Sequence, residues 1–78
     1  MNIEQQLVYY LQESTDVELT ADTPLLESGV IDSMGVMALI AFIENEYGLV
    51  LDMDDLTIEN FATVKDIKNL INGKKKEE

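Results

Sequence analysis

The run from Ser33 to Tyr47 constrains this 78-residue chain more than any other feature. It is apolar on nearly every side until Glu44, and Gly48 follows it as a C-terminal stop. We read it as a helix over residues 33–47. A chain of 8.8 kDa makes one domain and buries only ~60% of its unfolded surface. Such a domain cannot cover one helix all round, so part of this apolar surface must face water or a partner. The same size leaves no room for a deep substrate cavity and a complete catalytic apparatus in separate domains.

The remaining segments supply partners for that helix. Ile3, Leu7, Tyr10 and Leu11 fall at helical spacing, with Asn2 as cap and Gln5 as its reciprocal partner. Ser14, Thr15 and Asp16 should end this first helix. Residues 15–31 lack a long period, yet Leu19, Leu25, Leu26, Val30 and Ile31 give them anchors onto a core. Thr23-Pro24 can open a short helical turn that Gly29 closes. Leu49-Val50-Leu51 has no second strand to pair with and reads as a loop folded back on the core. Thr57 to Phe61 reads as a short helical turn. Thr63 and Asp66 form a box-like start for a last helix carrying Val64, Ile67, Leu70 and Ile71, which Gly73 should close. The expected fold is therefore all-α: a small bundle of three to four helices with a long first loop. Residues 1–73 form the domain, and residues 74–78 a charged, disordered tail. On the second helix, Leu39, Ile43 and Tyr47 should be core. Met34, Met37, Ala38 and Ala41 should lie nearer a docking face. Tyr10 should be core and Tyr9 partly exposed.

Composition removes whole classes of function. There is no cysteine and no histidine, so disulfides, thiolate metal sites and Ser-His or Cys-His triads are excluded. Sixteen acids against five lysines give a net charge of −11, a poor match for nucleic acid or anionic lipid and a good one for a basic protein partner. Residues 1–73 alone hold 14 acids and 2 lysines, or −12, so the acidity belongs to the expected domain. No basic leader and no long apolar span is seen, which makes a cytoplasmic monomer without membrane insertion the default. Asp52, Asp54 and Asp55 tempt a calcium-loop reading. An EF-hand starting at Asp52 would need Gly and Glu where Thr57 and Thr63 stand, so no metal site is assigned.

The informative stretch is Gly29-Val30-Ile31-Asp32-Ser33-Met34-Gly35, where the long loop becomes the second helix. The first N–H groups of a helix lack intrahelical partners and, with the helix dipole, favour an anion. Ser33 has no base to activate it, so it reads as a substrate for another enzyme rather than a catalytic nucleophile. The plainer alternative is that Asp32 or Ser33 is simply an N-cap.

The run Leu25-Leu26-Glu27-Ser28-Gly29-Val30-Ile31-Asp32-Ser33-Met34 resembles the modification site of the acyl carrier protein family. The likeness spans nearly the whole chain and includes Phe61-Ala62-Thr63-Val64 before the last helix. It implies a carrier that is not an enzyme. Its covalent 4′-phosphopantetheine, taken from coenzyme A, would sit on Ser33, with Asp32 positioning the phosphopantetheinyl transferase. It further implies an acyl or aminoacyl thioester on the arm, loaded by a ligase or synthetase and passed on by acyltransferases. The implied docking residues are Met34, Gly35, Met37, Ala38, Ala41 and Glu44. Fatty-acid carriers usually show carboxylates on this helix. Here Gly35, Ala38 and Ala41 stand on what should be the outward face, and Asp-Ser-Met-Gly is similar to D-alanyl carrier proteins. The resemblance thus favours a specialised carrier with a dedicated ligase or synthetase. A housekeeping fatty-acid-synthesis carrier and a helical interaction module without a prosthetic group are the alternatives; a small hydrolase using Ser33 is disfavoured by the missing histidine.

Overall fold

The computed structural model describes residues 2–77. Three α-helices follow in order: α1 (Ile3–Thr15), α2 (Ser33–Tyr47) and α3 (Val64–Glu77). Two 3₁₀ turns, Met53–Asp55 and Glu59–Phe61, lie between α2 and α3, and no strand occurs among the described residues. The all-α fold with a long first loop is the one the sequence predicts.

Each start and stop has a local cause. Asn2 caps α1 by accepting the Gln5 N–H at 2.8 Å, and the Gln5 side chain accepts the Asn2 N–H at 3.3 Å. The helix ends at Asp16, which adopts the left-handed region (φ 56°, ψ 33°) without being glycine. Gly48 ends α2 in the same region, at φ 64°. Thr63 accepts the Asp66 N–H at 3.2 Å and donates to the Asp66 carboxylate at 2.9 Å at the entry to α3.

The core takes Leu7 and Leu11 from α1, Leu39 and Ile43 from α2, and Val64, Ile67 and Ile71 from α3. The loops add Leu19, Leu25, Ile31, Leu49, Leu51 and Phe61. Loop anchoring is backbone-deep in two places. Leu25 N–H donates to Ala62 O at 2.8 Å, and Lys65 N–H to Ala21 O at 3.2 Å. The long loop is thus stitched to the start of α3, and its short turn is closed by Ser28 N–H on Pro24 O at 3.0 Å.

Three expectations need correction. Tyr47 and Tyr10 are half-buried rather than core. Tyr10 stacks on Phe42 with centroids 4.1 Å apart, and Tyr47 packs edge-on to Phe42 while donating to Gln6 Oε1 at 2.6 Å. The Tyr47 hydroxyl keeps its ring at the rim, where Gln6 is its polar partner. Gly73 does not close the last helix: α3 continues to Glu77. A mid-helix glycine costs only ~1 kcal/mol against alanine, and Lys74 offsets it by reaching Asp55 at 2.9 Å. Residue 78, the end of the expected tail, lies outside the described residues.

Charge is segregated along the chain. Residues 1–63 hold 13 acids and no base, and all five lysines stand on α3. Lys68 pairs with Glu4 on α1 at 3.2 Å, Lys65 with Asp22 on the long loop at 2.9 Å, and Lys74 with Asp55 on the first 3₁₀ turn. The last helix is the internal counter-charge of the fold.

Candidate functional site

The loop-to-helix junction resolves the ambiguity between Asp32 and Ser33. Asp32 is the N-cap of α2: its backbone is extended, and Oδ1 accepts the Gly35 N–H at 2.9 Å. Ser33 therefore stands at the first helical position with the capping role already filled, and it is exposed. The N–H groups of Ser33 and Met34 precede the first intrahelical bond of α2, made by Val36 N–H to Asp32 O at 2.9 Å. An anion bonded to the Ser33 oxygen meets these donors and the positive end of the helix dipole.

Two grooves flank this junction. One, of about 290 Å³, is lined by Ser33, Leu26, Val36, Leu56, Ile58 and Phe61 and is mainly apolar. The other, of about 420 Å³, runs between the end of α1 and the loop, where Ser14 and Thr15 face Ile31, Asp32 and Gly35.

The expected docking residues divide. Met34 and Met37 are 77% and 70% exposed, and Ala38 and Ala41 are exposed as well. With only Leu39 and Ile43 of α2 fully buried, the apolar helix does present bare surface beside Ser33. Gly35 is half-buried. A Cβ there would lie 3.2 Å from Ile31 Cβ, so glycine serves close packing of the loop and not the exposed face. Glu44 is half-buried too, and its carboxylate accepts the Leu51 N–H at 2.9 Å, tying down the loop after α2. Periodicity missed both roles because the partner arrives from outside the helix: the Ile31 side chain at Gly35 and the Leu51 N–H at Glu44. It also missed Leu56 and Ile58, which border the apolar groove from a segment without a helical period.

The acidic turn is built, not merely solvated. Asp52 and Asp55 form a reciprocal capping box around the first 3₁₀ turn. The Lys74 ammonium, hydrogen-bonded to Asp55, and then the Asp52 N–H hold the Asp55 carboxyl below its ordinary range. No cluster of metal-ligating side chains occurs among the described residues.

Comparison with known proteins shows the family. The family model of the phosphopantetheine attachment site matches residues 5–71. The chain belongs to this family. It is also similar to the D-alanyl carrier protein of Streptococcus suis (strain 98HAH33), with 29% identity over 69 residues, covering 86% of this chain and 87% of that protein. The chain is thus a carrier and not an enzyme, and the prosthetic group of its family is covalently attached 4′-phosphopantetheine. The residues at the junction fit such a group: an exposed hydroxyl, backbone donors for a phosphodiester and an adjoining apolar groove. Among the described residues no helix is long and apolar enough to cross a membrane.

Proposed function

We propose that Ser33 carries the 4′-phosphopantetheine and that the chain is a specialised aminoacyl carrier loaded by a dedicated ligase. The observation that carries this reading is the division of labour at the junction. Asp32 caps α2, so the exposed Ser33 hydroxyl is spared for modification. During attachment the Ser33 oxygen loses its proton to a base of the phosphopantetheinyl transferase. It bonds to the phosphorus of coenzyme A that bears the pantetheine, and adenosine 3′,5′-bisphosphate leaves. The α2 N-terminus then holds the resulting phosphodiester. When bound, the arm supplies the thiol that this cysteine-free chain lacks and holds cargo as a thioester.

Cargo and partner are read from the exposed face. Ala38 and Ala41 occupy positions where carboxylates would draw the basic docking sites of fatty-acid-synthesis enzymes. Met34 and Met37 offer adaptable apolar contact instead. Together with Asp-Ser-Met-Gly and the similarity to a D-alanyl carrier protein, this supports a small aminoacyl cargo such as D-alanine. The setting is cytoplasmic, where coenzyme A and ATP-dependent ligases are found, and the partners beyond the transferase and ligase are acyltransferases. A housekeeping fatty-acid carrier is the second reading.

Mass spectrometry after incubation with coenzyme A and a broad-specificity transferase tests the site. Wild type gains one phosphopantetheine and Ser33→Ala none; labelling that persists in the variant refutes the assignment. Ala38→Glu with Ala41→Glu then tests partner choice. Exposed ion pairs contribute ~0.2–1 kcal/mol each, so the pair should shift loading roughly tenfold or less toward fatty-acid-synthesis enzymes. Equal loading of both proteins by both enzyme classes refutes selection by this face.

A further inference from the structure

Residues 52–60 form a strap with no buried side chain. Its ends are pinned by Leu51, 8% exposed, and Phe61, 2% exposed. Most of its hydrogen bonds close on itself. Asp52 N–H meets Asp55 Oδ2 at 3.0 Å, Leu56 N–H meets Met53 O at 3.2 Å, Asn60 N–H meets Thr57 Oγ1 at 3.1 Å, and the Asn60 side-chain amide meets Asp55 O at 2.9 Å. Among the described residues, the ion pairs that join this strap to the remainder of the fold run through Lys74. Its ammonium is 2.9 Å from Asp55 and 3.6 Å from Asp52. The side chains of Lys74 and Asp55 are only 17% and 16% exposed, so solvent screens their pairing less than it screens an open surface pair. The same strap supplies Leu56, Thr57 and Ile58 to the apolar groove beside Ser33, whereas Phe61 is buried and Leu26 and Val36 pack against the core.

We propose that Lys74 is a positioning residue that latches this strap and so holds one wall of the Ser33 groove in place. With the latch closed, Leu56 and Ile58 stand against Leu26, Val36 and Phe61. With it released, the short turns of the strap open between Leu51 and Phe61 and the groove loses its outer wall. Shielding of an apolar acyl group on the arm, the cargo of the second reading above, depends on the latch, and this consequence rests on the Ser33 reading. The latch itself does not.

Amide hydrogen exchange on the apo chain tests the latch, with Ser33→Ala in parallel. Lys74→Met should speed exchange at Leu56 and Asn60 roughly tenfold or more while leaving Leu11 and Ile43 unchanged, the signature of local opening. Lys74→Arg, which keeps the charge, should restore slow exchange. Unchanged exchange at the strap, or equal acceleration at all four amides, overturns the proposal; the latter would make Lys74 an ordinary stabilising residue. On the loaded protein, hydroxylamine should cleave an octanoyl thioester several-fold faster in Lys74→Met than in wild type, and an acetyl thioester at the same rate in both. Equal octanoyl rates refute the shielding role. If Ser33 is not the attachment point, the exchange result stands while Ser33→Ala still labels. If the latch is wrong, Ser33 labels normally and the strap exchanges as in wild type.

Discussion

Two glycines on helices should respond to alanine with opposite signs. Neither has positive φ, so backbone conformation does not forbid the side chain at either. At Gly73, in α3, an added Cβ meets nothing within 4 Å. Gly73→Ala should therefore gain the helix-propensity difference of ~0.8–1 kcal/mol. At Gly35, the third residue of α2, the added Cβ would lie 3.2 Å from Ile31 Cβ. That atom cannot rotate away, because backbone fixes it and Ile31 is 5% exposed in the core. Overpacking costs ~1–3 kcal/mol and outweighs a propensity gain that is smaller in the first turn. Each kcal/mol moves the melting temperature of a domain this size by ~4–8 °C. Gly73→Ala should melt ~4–8 °C above wild type and Gly35→Ala about as far below, read by far-ultraviolet circular dichroism on apo protein. If Gly35→Ala stabilises as much as Gly73→Ala, the close approach of Ile31 does not constrain the junction. If Gly73→Ala leaves melting unchanged, α3 does not continue through residue 73 in solution.

Three further outcomes follow from single observations. Asp16 ends α1 at φ 56°, so Asp16→Gly should stabilise by ~0.5 kcal/mol or more, with Asp16→Asn separating the loss of charge from the loss of Cβ; no gain with glycine refutes strain there. Asp55 is held below its ordinary value of 3.8 by Lys74, so its contribution is present above about pH 4 and lost as pH falls through the lowered folded value. Melting curves of wild type and Lys74→Met should differ at neutral pH and converge in acid; a constant gap contradicts the assignment. With 13 acids and no base in residues 1–63, added salt or millimolar magnesium should raise the melting temperature, and a flat response would show that repulsion does not limit the fold.

The legible parts of this fold are those fixed by neighbours in sequence. The Asn2–Gln5 box, the Gly48 stop and the Thr63–Asp66 start all lie within a few residues of their partners, and each reads directly as a pattern. The Asp32-Ser33 pair was legible as a junction but ambiguous as chemistry, because sequence cannot say which of two adjacent capping residues turns its side chain to the helix. What escaped depends on distant chain. Gly35 is small because Ile31 approaches it, Glu44 is turned inward by the Leu51 N–H, and Lys74 continues a helix past glycine because Asp55 waits across the fold. Tyr47 satisfied the spacing rule and still stops at the rim, since apolar periodicity does not count a hydroxyl that bonds to Gln6.

The separation between buried and exposed residues of α2 has a consequence for how such a carrier can vary. Of the fifteen residues in α2, Leu39 and Ile43 alone are fully buried. Met34, Met37, Ala38 and Ala41 lie outside the core, so changing them leaves the packing energy of the fold nearly untouched. Gly35 is the exception on this helix: it neighbours Ser33 in sequence but packs on Ile31, so a carboxylate placed there would disturb the junction before it attracted any partner. Added charge at Ala38 and Ala41 tests the recognition proposed above, whereas added volume at Gly35 tests folding. Gly35 and Ala38 are neighbours on the helix surface and border the same groove; what separates them is the loop, which brings Ile31 against Gly35 and leaves Ala38 exposed.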